Sequence, residues 1–508
     1  MGVTLDRTSE TPLYRQLLAE LSSRIRSGEI ASGSRLPSVR SLARTLGVSP
    51  ITVVQAYNGL AADGLVHATV GRGTFAGASG PETARPQSDD RANTAPEDGE
   101  WHTTLPVHLR APRISAMHAL LRPGRRPGVI SLAAGTPDPS LFPIRVLGRL
   151  WSRVMAAEDP GFLQYGTSQG DYQLRTWIAA RCAATGIRAK AEDILITSGS
   201  QQAIDLVART FVGPGDYVLV ESPTFITALD IFEGRGAKLI GVPMDNEGVR
   251  VDVAASLMER FRPRLMYTMP TAHNPTGITT TEDRRRQLAA LARRYNLLVL
   301  EDDTCSEFTY DGEAPPAIKA FDAGGHVLFV LSFSKTVIPG LRIGCVVAQA
   351  PLLSRLVDSK SVADRFTSPL IQRTLWRYLS SSRYPRDLAT ARDVYRSRRN
   401  ALLEVLEETM PTGVTWTRPS AGFNIWMHLP DTTTAAEVFE EGLKEGVACA
   451  PGDLFLPHAP PPSGLRISFA DNPEETAGEG ARRLARALTR VLASSRAEEP
   501  ESAFVTTV

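Results

Sequence analysis

The chain has 508 residues and a net charge of +1, which results from 56 basic and 55 acidic side chains. Hydrophobic residues make up 42% and charged residues 22%, a balance typical of globular proteins and unlike that of disordered or fibrous chains. The length predicts two or three domains, and the balanced charge gives no sign of a polyanion partner for the chain as a whole.

Cysteine usage and hydropathy indicate the cellular compartment of the protein. The four cysteines, Cys182, Cys305, Cys345 and Cys449, are widely spaced and form no C-x-x-C pair. The N-terminus has no charged segment followed by an apolar run, and no apolar run approaches the roughly 18 residues of a membrane span. These features predict a protein of the reducing cytoplasm without a membrane span. No metal site is predicted.

The N-terminal segment begins with an amphipathic pattern. Leu13, Leu17, Leu21 and Ile25 recur every fourth residue and predict a helix over residues 11–27. This spacing places the four side chains on one face of the helix, where a small core can form.

Two further helices and a hairpin follow in the same segment. Pro37-Ser38 places a capping serine before a second helix, and Ser49-Pro50 opens a third helix that extends through Leu60. After Gly64, two apolar pairs flank the glycine-rich, basic tip of a predicted β-hairpin, residues 70–73. Three helices and a hairpin are typical of a winged helix-turn-helix.

A linker separates this unit from the rest of the chain. Between Phe75 and Trp101 no Val, Ile, Leu, Met, Phe, Tyr or Trp occurs, so the segment has nothing to bury. We therefore predict four regions: a winged helix-turn-helix domain over 1–76, a flexible linker over 77–105, a larger domain over 106–495 and a disordered tail over 496–508.

Short apolar runs alternate with helix-length segments in the larger domain. This rhythm predicts an α/β fold with a mostly parallel central sheet that helices cover on both faces. From about Tyr395 a long helix, a few strands and a terminal helix near 482–492 predict a smaller α+β lobe. The predicted strands of the sheet lie at 194–197, 217–220, 238–242, 264–267, 297–300 and 327–331.

A lysine is the first candidate functional residue. Lys335 lies in Ser332-Phe333-Ser334-Lys335-Thr336, just past a predicted buried strand, and Arg342 follows seven residues later. An amine in this setting can form a Schiff base with a carbonyl group, and the arginine can bind a phosphate. The alternative is a partly buried structural lysine.

Two polar residues follow predicted strands at their carboxyl ends, where open α/β sheets bind ligands. Asn274 lies in His273-Asn274-Pro275-Thr276-Gly277 after the strand at 264–267, and Asp302 follows the strand at 297–300. An aspartate there can pair with a protonated pyridine nitrogen, and an asparagine can donate to a phenolic oxygen. Helix caps and turns are the commoner uses of these residue types.

The turn Ser198-Gly199-Ser200-Gln201 joins a predicted strand to a helix. Free N–H groups and the positive end of the helix dipole point at whatever occupies such a turn. The turn is therefore a candidate phosphate site, although most glycine-bearing turns of this kind only redirect the chain.

The order of these segments over most of residues 128–490 resembles that of the fold-type I aminotransferases, which bind pyridoxal 5′-phosphate (PLP). The resemblance implies that Lys335 binds PLP as a Schiff base, that Asp302 pairs with the pyridine nitrogen and that Asn274 binds the ring oxygen. It also implies that Phe225 stacks on the ring. The phosphate would be bound by Ser200, Gln201, Ser332 and Arg342, joined by Tyr165 from the second subunit of a homodimer.

Arg466 lies in Gly464-Leu465-Arg466-Ile467-Ser468-Phe469. By the same resemblance it matches the arginine that receives an amino acid's carboxylate through two parallel hydrogen bonds. The alternative is an ordinary arginine at the edge of a strand.

The N-terminal unit resembles the winged-helix domain of GntR-type transcription factors, from Leu36-Pro37-Ser38 through Val48-Ser49-Pro50 to Leu60. Fused to an aminotransferase-like body, it resembles the MocR/GabR subfamily nearly end to end. A helical dimerisation or protein-binding module is the alternative. The resemblance implies double-stranded operator DNA as a partner, contacted by Arg35, Arg40, Ser49, Thr52 and Arg72.

Three positions depart from the family pattern. Thr304 stands where members usually carry a tyrosine, two residues after the aspartate that pairs with the pyridine nitrogen. Thr227 stands where the GABA-responsive members carry an arginine that binds the effector, which argues against GABA as the effector here. Pro50 stands where many recognition helices begin with arginine.

The sequence thus predicts a PLP-dependent transcriptional regulator. Its body senses a small amine or amino acid without steady turnover, and its winged helix binds DNA. The second hypothesis is a working aminotransferase with an appended DNA-binding domain. A third, a DNA-binding protein with an inactive body, is disfavoured because the chain retains Lys335, Asp302, Asn274, Arg342 and Arg466.

Overall fold

The described residues belong to two units, which divide between Glu97 and Asp98. The predicted linker over 77–105 and residues 498–508 of the predicted tail lie outside the described residues, so the bounds of the four predicted regions stay predictions. The computed structural model describes residues 12–27, 29–31, 34–62, 65–69, 73–76, 113–122, 127–157, 159–457 and 464–497.

The N-terminal unit contains the helices and the hairpin that the sequence predicts. The Ser38 hydroxyl accepts a hydrogen bond from the backbone N–H of Ser41 at 3.2 Å and so caps the second helix. Gly47, with φ 62°, ends that helix in a left-handed conformation. The elements are α1 (Leu13–Arg26), α2 (Val39–Leu46), α3 (Pro50–Ala62), β1 (Val66–Thr69) and β2 (Gly73–Ala76).

Apolar side chains from all three helices form the core of this unit. Leu17 and Leu21 of α1 pack with Leu42 of α2 and Val53 and Leu60 of α3, and all five are buried. β1 and β2 pair antiparallel, as the sequence predicts for a hairpin. The predicted tip of the hairpin, including Arg72, lies outside the described residues.

The second unit contains a long sheet. Its described strands are β4 (Ile194–Thr197), β5 (Tyr217–Ser222), β6 (Lys238–Asp245), β7 (Gly248–Val249), β8 (Leu265–Thr268), β9 (Leu298–Asp303), β10 (Val327–Ser332) and β11 (Gly344–Val347). These eight strands lie in the order β4-β11-β10-β9-β8-β5-β6-β7. The central pairs β10/β9, β9/β8, β8/β5 and β5/β6 are parallel, as the sequence predicts.

Strand β11 was not predicted from the sequence, and it pairs antiparallel with both β10 and β4. The connection from β10 to β11 contains Lys335 and is too short for a crossover, so the chain reverses and returns beside the strand it has left. The sheet is therefore mixed at this edge.

Helices pack around the sheet and also belong to the smaller lobe. The described helices are α4 (Arg113–Leu121), α5 (Ile144–Ala157), α6 (Tyr172–Ala184), α7 (Ser200–Phe211), α8 (Ile226–Gly234), α9 (Val251–Phe261), α10 (Glu282–Tyr295), α11 (Leu352–Ala363), α12 (Pro369–Leu379), α13 (Arg383–Thr409), α14 (Ala435–Lys444) and α15 (Glu474–Ala497). None of them is long and apolar enough to cross a membrane.

The smaller lobe is α+β, as predicted. Four of its described strands form an antiparallel sheet in the order β12-β13-β16-β15, and β14 pairs in parallel with β3. The terminal helix α15 is longer than the predicted 482–492. The prediction missed its first turns because the buried side chains there are small alanines, such as Ala477 and Ala481, which give a weak hydrophobic signal. The strands are β3 (Ile130–Ser131), β12 (Thr415–Trp416), β13 (Asn424–His428), β14 (Val447–Ala448), β15 (Ala450–Pro451) and β16 (Gly464–Ser468).

Candidate cofactor and effector site

The amine of Lys335 lies in a protected position just after β10. Its Nζ donates a hydrogen bond to the backbone carbonyl of Gly135 at 2.7 Å. Burial lowers the pKa of Lys335, Cys305 opposes this shift, and the positive charge of Arg466 adds to it. A lowered pKa leaves more of the amine neutral near pH 7, and the neutral amine is the nucleophilic form.

Asp302 presents one unused oxygen inside the protein. It lies within β9 and is 1% exposed. The Tyr267 hydroxyl donates to its Oδ2 at 2.8 Å, while Oδ1 has no hydrogen-bond partner among the described residues. Burial raises the pKa of Asp302 to about 7, the Tyr267 hydrogen bond opposes the shift, and Asp303 and Glu221 add to it. A buried oxygen of this kind calls for a proton or a cation as its partner.

The turn before α7 is closely approached by the segment after Lys335. Gly199 has φ 90°, and a Cβ built on it would lie 2.7 Å from Nη2 of Arg342. The same Nη2 donates to the carbonyl oxygen of Ser198 at 3.3 Å. A Cβ on Gly344, which pairs with Ser332, would lie 2.9 Å from the backbone nitrogen of Ser200. Only glycine fits at these two positions.

This geometry brings the predicted phosphate-binding residues together at the start of α7. Ser200 is the first residue of the helix, no side chain caps it, and Gln201 is exposed beside it. Ser332 ends β10 and is 3% exposed, and Arg342 is exposed to solvent. Uncapped N–H groups and a guanidinium at one helix start can bind a dianionic phosphate.

Arg466 and Asn274 meet across the two lobes of the second unit. Nη1 of Arg466 donates to Oδ1 of Asn274 at 2.9 Å, and Nη2 donates to the carbonyl oxygen of Ala133 at 2.6 Å. Nε has no hydrogen-bond partner among the described residues. The guanidinium lies 4.8 Å from the ring centroid of Phe455, and burial lowers its pKa to about 10. The group stays charged at neutral pH.

The remaining predicted residues lie at the borders of the site. Phe225 precedes the first residue of α8 and is half-buried, while Thr227 in the first turn is buried. Tyr165 is 73% exposed and lies at the surface, where its ring packs edge-on against Phe366. The hydroxyl of Thr304 donates to Sγ of Cys305 at 3.7 Å.

Sequence reasoning missed the segment after β3. Its carbonyl groups at Ala133 and Gly135 accept hydrogen bonds from Arg466 and Lys335, so it holds the guanidinium of the one and the amine of the other. The signal for it is the run Gly135-Thr136-Pro137-Asp138-Pro139, whose turn residues follow a short apolar stretch. Tyr267 was also missed, because it becomes a neighbour of Asp302 only through the pairing of β8 with β9.

These groups fit PLP on three independent observations. The buried Oδ1 of Asp302 lacks a partner among the described residues, the turn at Gly199 leaves no room for a side chain, and the carbonyl of Gly135 holds the amine of Lys335 just after β10. A protonated pyridine nitrogen, a phosphate and an aldehyde are the complementary groups, and PLP carries all three.

The DNA-binding residues predicted in the N-terminal unit are only partly described. Arg35 is exposed and its backbone bridges to Phe75 of β2. The Ser49 hydroxyl accepts a hydrogen bond from the N–H of Thr52 at 3.2 Å, so it caps α3 as predicted. Arg40 lies on α2, but its side chain is outside the described residues.

Two family models match the chain. Residues 127–484 match aminotransferase class I and II, and residues 13–76 match bacterial regulatory proteins of the gntR family.

Several relatives share both parts or the larger one. The HTH-type transcriptional regulator YisV of Bacillus subtilis is 31% identical over 88% of this chain and 90% of its own. The probable rhizopine catabolism regulatory protein MocR of Rhizobium meliloti is 26% identical over 94% of each. LysN, the alpha-aminoadipate aminotransferase of Thermus thermophilus, was solved with N-(5′-phosphopyridoxyl)-L-leucine. It is 33% identical over 78% of this chain and 100% of its own, with a TM-score of 0.72.

The class I and II match covers more than half of the chain, and the match to YisV covers both units. The chain therefore belongs to the aminotransferase class I and II family, and with its N-terminal gntR-family domain it is a GntR/MocR-type regulator.

Proposed function

We propose that this regulator binds PLP in its aminotransferase domain, senses a small amine or amino acid there, and changes its binding to operator DNA in the cytoplasm in response. The buried oxygen of Asp302, which has no partner among the described residues, carries the proposal, because a pyridine ring is the group that would satisfy it. The amine of Lys335, with its lowered pKa, lies in the same domain and supplies the covalent attachment point.

Each part of the cofactor has residues that would hold it. Phe225 would stack on the ring, Asn274 would donate its side-chain NH₂ to the ring oxygen, and Asp302 would pair with the pyridine nitrogen. When bound, PLP supplies an electrophilic carbon that joins amines reversibly. The phosphate would lie at the uncapped start of α7, held by Ser200, Gln201, Ser332 and Arg342.

An amino acid is the effector class that these residues recognise best. Its amine would replace Lys335 at the cofactor, and its carboxylate would bind the guanidinium of Arg466, whose Nε is unused among the described residues. Thr227 provides no positive charge for a second carboxylate. We therefore expect an effector with one carboxylate or none. GABA is disfavoured as the effector, because Thr227 stands in the place of the arginine that binds it in the GABA-responsive members.

DNA binding would use the helix pair α2 and α3 and the hairpin. Arg35 precedes α2 and is exposed, so it can contact a phosphate, while Ser49 and Thr52 lie at the start of the recognition helix α3. Arg40 and Arg72 complete this surface in the proposal.

Replacing Arg35 by Ala should weaken binding to every duplex sequence alike. The slope of log K against log salt is negative, and one lost phosphate contact reduces its magnitude by about 0.9, because fewer counterions are released. Fluorescence anisotropy at several salt concentrations measures the slope. Arg15→Ala, which removes an exposed arginine from α1, is the matched control, and equal slopes for the two variants would refute the assignment.

We also propose a homodimer, in which Tyr165 completes the cofactor site of the second copy. The support is a set of large apolar side chains that a single protomer leaves exposed, namely Ile144, Trp151 and Met155 on one face of α5, with Leu163, Tyr165 and Val362. Sedimentation should show a dimer at micromolar concentration, and a monomer with PLP fully bound would contradict the proposal.

In this proposal α4, the first helix of the second unit among the described residues, relays effector binding toward the linker and the DNA-binding unit. Arg113, at the start of α4, binds both carboxylate oxygens of Glu233, and its N–H donates to Asp230 at 2.9 Å. Met117 of the same helix packs in one apolar cluster with Phe455, which lies under Arg466. A shift of Phe455 on effector binding would therefore reach the segment that carries the linker.

The second candidate function is steady transamination, which the same site residues favour. Thr304 argues against it, since the hydroxyl that stands in the place of the family's phenol donates to Sγ of Cys305. Absorption spectra with added amino acids, followed by an assay for released keto acid, separate the two. A sensor changes its spectrum with little keto acid, whereas turnover of about 1 per second or faster would favour the enzyme.

A further inference from the structure

A fully buried lysine lies outside the site described above. The Lys360 side chain, on α11, is 0% exposed. Its Nζ lies 2.6 and 2.9 Å from the two carboxylate oxygens of Asp364 and 3.2 Å from Oε1 of Gln202. Buried lysines are rare unless they are paired. The three N–H donors of the ammonium group match these three acceptors, which leaves none for a ligand.

Gln202 joins this ion pair to the turn before α7. Its Oε1 accepts the backbone N–H of Ser198 at 2.6 Å, while its Nε2 donates to Oδ2 of Asp364 at 2.6 Å. Both ends of the Gln202 amide are thus occupied, and the amide cannot rotate without breaking bonds. The Ser198 hydroxyl also lies 3.3 Å from that of Thr367.

The turn is therefore fixed from two sides. Lys360, Asp364 and Gln202, which we call the turn brace, hold the N–H of Ser198. Arg342 binds the carbonyl oxygen of the same residue from the other side. Both the N–H and the carbonyl oxygen of Ser198 are thus hydrogen-bonded, which restrains the turn that leads into the uncapped N–H groups of α7.

We propose that the turn brace is a positioning network for the phosphate of PLP. The inference rests on the proposed binding of PLP at the start of α7. N–H groups that already point in one direction bind an anion without an ordering cost, whereas a mobile turn would incur that cost on binding. Lys360 and Gln202 act through the backbone of Ser198 and do not touch the phosphate themselves.

Two variants test the network from different sides. Lys360→Met removes the ammonium group, and Gln202→Leu leaves the buried ion pair intact while it cuts the connection to Ser198. Lys319→Met is the matched control, because Lys319 is also buried and paired, 2.8 Å from Asp322, but is not joined to the turn. The three purified proteins and the wild type are titrated with PLP and with pyridoxal, which lacks the phosphate.

We expect the dissociation constant for PLP to rise about 10-fold or more in Lys360→Met and Gln202→Leu, as when a buried hydrogen-bond partner is removed. The constant for pyridoxal should stay within about 2-fold of the wild type, and Lys319→Met should change neither. Equal losses for PLP and pyridoxal, or wild-type PLP binding in both variants, would overturn the inference. Failure of the wild type to bind PLP would overturn the proposed function itself.

Discussion

Replacing Asp302 by Asn should change cofactor affinity and stability in different ways. In the wild type the carboxylate would pair with the protonated pyridine nitrogen, and the amide of the variant cannot. Removing one partner of a buried ion pair costs about 3–5 kcal/mol, so PLP affinity should fall by about 10²–10⁴-fold. Titration of the cofactor-free proteins with PLP measures this loss.

In the cofactor-free protein, the same carboxyl group should lower the free energy of unfolding as the pH rises. The pKa of Asp302 is raised to about 7 from 3.8, so between these values the group is protonated in the folded state and ionised in the unfolded state. The folded protein then holds more protons, and its stability falls as pH rises through this window. A shift of this size amounts to about 4 kcal/mol.

Asp302→Asn removes that pH dependence. Between pH 4 and pH 8 the free energy of unfolding of the wild type should therefore fall, relative to that of the variant, by up to about 4 kcal/mol. Urea unfolding of the cofactor-free proteins at several pH values measures it. A difference that stays constant over this range would show that the carboxyl group titrates normally, and the assignment to the pyridine nitrogen would lose its physical basis.

Replacing Lys335 by Ala should remove covalent cofactor binding. Borohydride treatment should attach PLP to the wild type at this residue and leave the variant unlabelled in mass spectrometry. The variant should also lack the absorption band of the imine between PLP and the protein, because no lysine amine remains at this position to form it. Labelling of another lysine in the wild type would contradict the role of Lys335.

The residues at the ends of the central strands could be predicted from the sequence. The apolar runs that form β8, β9 and β10 are continuous and end in turns, so Asn274, Asp302 and Lys335 fall at or after their ends with little ambiguity. Parallel strands end at the same edge of a sheet, which brings these residues together without knowledge of their exact register.

The side chains that modify this chemistry could not be predicted in the same way. Tyr267 contacts Asp302 only because β8 pairs with β9 in one register, and a local pattern does not define that register. The turn brace joins Gln202 of α7 to Lys360 and Asp364 at α11, and these two helices are far apart in the chain. Burial of a lysine is invisible in a sequence, where the residue type predicts a solvated surface.

Operator binding by wild type and Lys335→Ala, each with and without PLP and candidate amino acids, tests the central claim most directly. If the effector acts through Lys335, it should change the operator affinity of PLP-bound wild type by about 5-fold or more, which is the usual range of allosteric coupling. The variant should still bind the operator, since its DNA-binding unit is unaltered. Its operator affinity should be the same under all conditions, since the residue through which the effector acts is missing. A variant whose regulation by PLP and effector equals that of the wild type would contradict the account.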